Sequence, residues 1–350
     1  MKVFKRGILT AVVALLALSA GTRAAAQNTS AAYGFLDVPT SAHVVGLGGN
    51  NIALIDEDVS LSDQNPALIG PELDKQMEVN YMLYMAQGNF AGFRYGMGVG
   101  DHSAWAAGIR YMDYGFFDGY DENGVATGKF KPTDFIIEGT YSRDITSRWR
   151  GGVNLKVAYS GYEDYSAWAM AADLGVNYYD PEKDLSFSVV LRNMGGQIKR
   201  FGGRYSRLPF DIQLGYMQAI GNSPFQVSIT ANNLTKWSIP YYSYNNGAEG
   251  EVIVKKSGFF RNLFRHLIFG VQYEAAGKFY AALAYNYKTA TDMSSFNHSF
   301  LSGFSLGVGF KVKYFRADVA YAIPHKKGST LAVNLSYTLT GVVERAARGE

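Results

Sequence analysis

Residues 331–339 read Leu331-Ala332-Val333-Asn334-Leu335-Ser336-Tyr337-Thr338-Leu339. The odd positions are large and apolar, the even ones small or polar. A pleated strand sends alternate side chains to opposite faces, so this stretch has one apolar face and one small, polar face. At about nine residues it has the length that a tilted strand needs to cross an outer membrane.

The same alternation recurs upstream as far as residue 77. About fourteen runs begin near Met77, Asn89, Ala104, Thr133, Trp149, Ser166, Asp184, Leu208, Ser223, Arg265, Lys278, Ser299, Tyr314 and Ser329. Connections after Val99, Ile145, Tyr179, Ile220, Ala275 and Val312 are short. Those at 114–132, 160–166, 194–207, 234–264, 288–298 and 323–328 are longer. Short turns alternating with longer loops predict an all-β fold, a transmembrane antiparallel barrel with its turns in the periplasm and its loops outside. An even strand count puts both ends of the barrel at the periplasmic side.

Charge placement fixes which face looks where. Outward sets such as Phe225, Val227, Ile229 and Phe304, Leu306, Val308, Phe310 carry no charge in mid-strand. The opposite faces carry Glu78, Arg94, Arg110, Glu138, Lys156, Asp173, Arg192, Asp211, Glu274, Lys311, Arg316 and Asp318. A cation on the lipid face costs about 2–4 kcal/mol at the midplane, so the charges are expected to point into the lumen. They are mixed in sign and are expected to pair with one another or with whatever fills the barrel.

Composition agrees. The 350 residues are 47% hydrophobic, with 39 Gly, 25 Tyr, 22 Phe and no Cys. Abundant Gly and aromatics suit a barrel with aromatic girdles. A net charge of +3 is too small to argue for nucleic acid. Without Cys there is no disulfide, thiol catalysis or Cys-based metal site. Lys2, Lys5 and Arg6 precede an apolar run, Ile8 to Ala20, and then Ala24-Ala25-Ala26. This pattern predicts an export signal over residues 1–26. Residues 342–350 follow the last strand as a periplasmic tail, and the barrel is expected over 77–341.

Residues 27–76 lack sustained alternation. They hold Gly46-Leu47-Gly48-Gly49, Asp56-Glu57-Asp58 and Asn65-Pro66-Ala67-Leu68. A compact, turn-rich segment of this kind ahead of a barrel predicts a plug or hatch in the lumen. A small periplasmic cap is the alternative.

No arrangement of residues supports catalysis, a metal or a cofactor. Gly303-Phe304-Ser305-Leu306-Gly307 matches a nucleophile elbow, but no helix follows the serine. Asp118, Asp121 and Asn123 lack full calcium-loop spacing and read as a solvated loop tip. Two loop features remain. Lys199, Arg200, Arg204 and Arg207, with Lys326 and Lys327, put cations on the outer rim. These suit lipopolysaccharide phosphates or an acidic partner, or are simply solvated. Phe259, Phe260, Leu263, Phe264 and Leu267 fall at helical spacing with Arg261 and Arg265 set apart. They predict a short helix on the outer leaflet, on a docking surface or packed on the rim.

Asn65-Pro66-Ala67 in a plug ahead of about fourteen strands resembles the FadL-like barrels, which pass hydrophobic molecules across the outer membrane. A more extensive resemblance, over nearly the whole mature chain, is to the PorQ family of type IX secretion barrels. It is carried by Phe35-Leu36-Asp37-Val38-Pro39-Thr40-Ser41-Ala42, Asp63-Gln64-Asn65-Pro66-Ala67-Leu68, Gly108-Ile109-Arg110-Tyr111-Met112-Asp113-Tyr114-Gly115 and Asn232-Asn233-Leu234-Thr235-Lys236-Trp237. That resemblance implies a non-catalytic part in a cell-surface attachment complex, holding a PorZ-like surface protein through extracellular loops, with PorU and PorV as further members. The alternative is a FadL-like transporter of hydrophobic small molecules, with Tyr84, Met112 and Met217 as candidate pocket residues. The inward charges count against a wide apolar channel.

Overall fold

The computed structural model describes residues 33–339 except 86–87, 122, 164, 202–204, 240, 245–251, 256–257, 276, 293–300 and 326–327. The leader expected at 1–26 and the tail at 342–350 lie outside the described residues, as do Arg204, Lys326 and Lys327.

In chain order the strands are β1 (Gln76–Tyr84), β2 (Gly88–Val99), β3 (Ser103–Asp113), β4 (Phe117–Tyr120), β5 (Ala126–Phe130), β6 (Thr133–Asp144), β7 (Trp149–Tyr162), β8 (Tyr165–Asp180) and β9 (Leu185–Lys199). They continue as β10 (Asp211–Ala219), β11 (Phe225–Ala231), β12 (Tyr241–Tyr244), β13 (Val252–Lys255), β14 (Leu267–Ala275), β15 (Phe279–Asn286), β16 (Phe304–Val312), β17 (Phe315–His325) and β18 (Gly328–Thr338). Fourteen of them close into an antiparallel barrel in the order β1-β18-β17-β16-β15-β14-β11-β10-β9-β8-β7-β6-β3-β2. The barrel shuts where β18 meets β1, from Gln76↔Thr338 to Leu83↔Leu331. Closure leaves no unpaired strand edge, which is what allows strands to sit in lipid.

In β18, Ala332, Asn334 and Ser336 are buried inside while Leu331 and Leu335 are exposed outside. The same holds around the wall, with Val79, Ile109, Leu155, Leu283 and Val308 outside. Among the described residues no helix is long and apolar enough to cross a membrane; the strands do the crossing.

Two short hairpins with strands of four or five residues, β4–β5 and β12–β13, stand apart from the barrel in the outer connections. Their strands are too short for the alternation to have marked them. The connections expected at 160–166 and 323–328 are tighter than foreseen, because β7 pairs with β8 up to Tyr162↔Tyr165 and β17 with β18 up to His325↔Gly328. The basic loop expected to begin at 194 begins later, because β9 stays paired to β8 as far as Lys199. A bulge at Arg192–Asn193 re-registers that pair, with Asn193 at φ 55°.

Residues 33–75 enter the lumen from the outer half and leave at the inner end into β1. They form short helical turns, Gly34–Asp37, Ala42–Gly46, Val59–Asp63 and Pro66–Leu68, and nearly all of them are buried. Side chains cap these turns. Ser41 Oγ accepts from Val44 N at 3.4 Å, Asp58 Oδ1 from Ser60 N at 2.9 Å, and Asn65 Oδ1 from Ala67 N at 2.9 Å. In the outer half, Tyr33, Phe35 and Leu36 pack against Met82, Phe90, Met112, Ile136 and wall alanines. Deeper, Val44, Leu47, Leu54 and Leu68 meet Met217 and Tyr280.

The plug seats where the wall lacks side chains. A methyl added at Gly152 would lie 2.5 Å from the Pro66 carbonyl carbon, and one at Gly175 would land on the Asn65 carboxamide. Asn65 also donates to Ile52 O at 2.9 Å and to Ser188 Oγ at 3.1 Å. Asn65-Pro66-Ala67 is thus the plug's keel, seated on the lumen face of the paired β7 and β8 at Gly152 and Gly175. Gly175→Val is expected to unseat it while the strands remain paired, at a cost of about 1–3 kcal/mol of overpacking. Heat-modifiable gel migration and limited proteolysis in detergent check this: the plug should become cleavable at temperatures where the barrel still resists.

Candidate functional site

The inward charges converge on the plug. Asp63, fully buried, lies 3.0 Å from Arg110 of β3 and 4.0 Å from Arg192 of β9. Glu138 of β6 sits between Arg110, at 3.1 Å, and Arg94 of β2, with which it forms a tight ion pair. Arg94 also reaches Glu78 of β1 at 3.5 Å and Thr40 Oγ1 of the plug at 3.2 Å. Lys156 and Asp173 pair at 2.5 Å, and Asp173 accepts from Asn193 N at 2.7 Å. Asn334 joins both parts, donating to Glu78 and accepting from Ala42 N at 2.8 Å.

A second cluster ties β17 to the plug. Arg316 meets Asp56 at 2.5 Å, Asp318 at 2.8 Å and Asp58 at 3.8 Å, and lies 2.9 Å from His43 Nδ1. The His43 ring stacks on Tyr280 with centroids 3.6 Å apart and contacts Gln272 at 2.5 Å. Burial pushes the Asp56 carboxyl up, but Arg316 and His43 outweigh it and hold it well below 3.8. A carboxyl depressed in the folded state stabilises above its unfolded value and loses that stabilisation as pH falls through the folded one. This link therefore holds below the pH at which an ordinary aspartate titrates.

Two vestibules lie either side of the plug. The inner one, about 550 Å³, is lined by Asp56, Glu57, Trp149, Arg150, Glu274 and Lys311. Its rim is held by Arg150, paired with Asp144 at 2.6 Å and Glu72 at 2.7 Å, and by Lys311 with Glu57 at 2.6 Å. The outer one, about 410 Å³, is lined by Val45, Met82, Tyr84, Ile268, Phe304 and Ile323, with Asp211 and Asn233 among its polar groups. Both volumes fall in the range of small-molecule pockets.

The structure brings Glu78, Arg94, Arg110, Glu138, Lys156, Asp173 and Arg192 into one belt and sets Arg316 and Asp318 in the second cluster. Asp211 stands apart, accepting from Asn233 N at 2.7 Å and from Gln213 Nε2 at 3.2 Å. Among the candidate pocket residues, Tyr84 lines the outer vestibule, whereas Met112 and Met217 are buried in packing. On the rim, Lys199 donates to Ser166 Oγ at 2.6 Å, Arg200 lies 5.3 Å from the Tyr205 ring centre, and Arg207 is exposed. These cations do not gather into one pocket.

Asp121 Oδ1 accepts from Asn123 N and Val125 N at 2.9 and 2.8 Å, making an Asx turn. Among the described residues no group of three His, Asp or Glu is placed to hold a metal ion. The expected pairing of inward charges with the plug is present, but the plug residues that supply it are not named by the sequence. Asp56, Asp58 and Asp63 were visible as charges, but nothing in the spacing named their partners.

No family model matches the chain, and no curated protein matches it in sequence. Solved structures do match in shape. The Ralstonia pickettii toluene transporter TbuX aligns with a TM-score of 0.51 at 11% identity, over 86% of this chain and 98% of that one. The Pseudomonas putida toluene transporter TodX aligns at 0.51 and 10% identity, over 84% and 96%. A deltaS2S3 mutant of TodX, described as a monoaromatic hydrocarbon channel, reaches 0.54 at 11%, over 85% and 98%. At such identities the likeness shows the fold alone, a closed antiparallel β-barrel, and it supports an outer-membrane location.

Removing one partner of a buried ion pair strands the other, at about 3–5 kcal/mol. Asp63→Ala is expected to lose stability on that scale in detergent unfolding. Lys131→Ala, which deletes the exposed partner of Asp113, should leave the unfolding midpoint unchanged.

Proposed function

We propose that this barrel takes up hydrophobic small molecules at the outer membrane, a non-catalytic role. The outer vestibule carries the reading. It opens among the extracellular connections, and Val45, Met82, Tyr84 and Ile268 give it an apolar side beside polar groups that include Arg192, Asp211 and Lys236. Most of the inward charges that count against a greasy passage in the sequence are paired in the belt and the Arg316 cluster, while Arg192 and Asp211 remain on the vestibule wall beside its apolar side. TbuX and TodX, described as toluene transporters, share the fold.

Uptake tests this. Cells carrying the barrel should accumulate radiolabelled toluene or dodecanoate several-fold faster than cells lacking it, and Tyr84→Arg, at a half-buried position of the vestibule wall, should remove most of the difference without reducing the amount of folded protein. Equal uptake with and without the barrel would rule the reading out.

A second reading, the attachment of a PorZ-like surface protein as in type IX secretion, draws on a different observation. The β4–β5 hairpin at the outer end exposes Phe116 at 73%, Tyr120 at 63% and Val125 at 61%, more apolar surface than an isolated loop in water needs. The resemblance to the PorQ family supports it, and Lys199, Arg200 and Arg207 lie at the same end. If it holds, gentle-detergent purification of the tagged barrel recovers a PorZ-like protein in equal amount, and serine at Phe116, Tyr120 and Val125 abolishes the recovery. Recovery of the barrel alone would contradict it.

A further inference from the structure

The helix Phe259–Arg265 is amphipathic the wrong way round for a helix in water. Its inward face is polar: Asn262 is 4% exposed, and Arg265 and the following His266 are each 1% exposed. Its outward face is aromatic, with Phe260 73%, Phe259 63% and Phe264 45% exposed. A rim helix in water turns its apolar stripe inward.

The inward polar groups have specific partners. Asn262 donates to Trp237 O and accepts from Ile239 N at 3.0 Å. Arg265 forms a tight ion pair with Asp292. His266 bridges Asn232 O at 2.8 Å and Trp237 O at 3.0 Å. The orientation is therefore locked by hydrogen bonds rather than left over from poor packing.

The outward face continues the lipid-facing wall. Phe264 lies 6.2 Å, centre to centre, from Phe269 of β14 and 6.0 Å from Tyr287, and Tyr285 of β15 lies 4.8 Å from Phe304 of β16. This is also where the wall is lowest. β11 has 7 residues and β15 has 8, against 14, 16 and 15 for β7, β8 and β9. Seven residues at about 3.4 Å each, tilted by about 40°, reach roughly 18 Å, short of the ~25 Å apolar band of an outer-membrane barrel.

We propose that the Phe259–Phe264 face is a lipid contact: it lies among the acyl chains of the outer leaflet and completes the hydrophobic wall above β11, β14 and β15. The inference rests on the barrel lying in a membrane, and it holds whichever cargo or partner the protein serves.

The chain has no cysteine, so Phe260→Cys, with Phe264→Cys as an independent second site, creates a single position for a nitroxide label. Leu306→Cys on the outward face of β16 and Tyr120→Cys in the β4–β5 hairpin serve as lipid and water references. The full-length protein is reconstituted in bilayers containing lipopolysaccharide. Power-saturation EPR then compares relaxation by oxygen, which partitions into lipid, with relaxation by a water-soluble nickel chelate. The Phe260 and Phe264 labels should give the Leu306 oxygen-to-nickel ratio, several-fold above that of Tyr120. A ratio equal to that of Tyr120 would place the face in water and overturn the proposal. Shielding from both reagents would mean that protein, not lipid, covers it, and would overturn the proposal equally.

Discussion

Asp63 meeting Arg110 and Arg192 deep in the lumen is the contact on which the rest depends. A strand in lipid can turn charges only inward, and inside a narrow barrel they need partners. The wall supplies some of these to itself, as with Lys156 and Asp173 or Glu138 between two arginines. The remainder come from the plug through Asp56, Asp58, Asp63 and Thr40. Plug and wall thus complete one another electrostatically, and the glycines at 152 and 175 let their backbones come close enough to do so. Replacing such a network by apolar residues is often neutral or stabilising. Its contribution here is positional: it holds a segment with little regular structure in one place.

That arrangement divides the molecule along its axis. The belt and the Arg316 cluster occupy the middle and inner parts, where the inner vestibule is polar. The outer half holds the largest apolar cluster, in which Met82, Phe90, Met112 and Ile136 meet the plug's Tyr33, Phe35 and Leu36, with the buried Asp134 held beside it by Tyr114, Ser160 and Tyr162. The outer vestibule combines part of this apolar surface with polar groups such as Asp211 and Asn233. The barrel is also uneven around its circumference. β7 to β9 stand tall, whereas the sector from β10 to β16 is low, and its connections carry the helix with the outward aromatic face.

Much of the fold was legible because lipid on one side and packed plug on the other impose period two on every wall strand. Leu331 to Leu339 alone shows that rule, and its repetition located all fourteen wall strands to within a few residues. The inward charges could be placed on the lumen face for the same reason. Other features obey no short period. β4–β5 and β12–β13 are too short to show alternation, and the turns of residues 33–75 are set by capping and burial. Phe259, Phe260 and Phe264 stand at helical spacing in the sequence, but which way they face depends on where Trp237, Ile239 and Asp292 fold to meet Asn262 and Arg265. Pairing across long separations, as between Asp63 and Arg192 or Asn334 and Ala42, follows from barrel register and had no local signal. For the same reason the vestibule lining, drawn from seven or more separate segments, could be anticipated only at Tyr84.

Hydrogen exchange of the intact protein in lipid nanodiscs, read by mass spectrometry, tests the central claim most directly: that plug and barrel are one electrostatically joined body. If they are, peptides covering residues 40–70 exchange as slowly as those from β6 to β9, and Asp63→Ala speeds exchange in the plug while leaving the strands protected. Plug peptides that exchange at the rate of a free chain in the unaltered protein, beside protected strands, would contradict it.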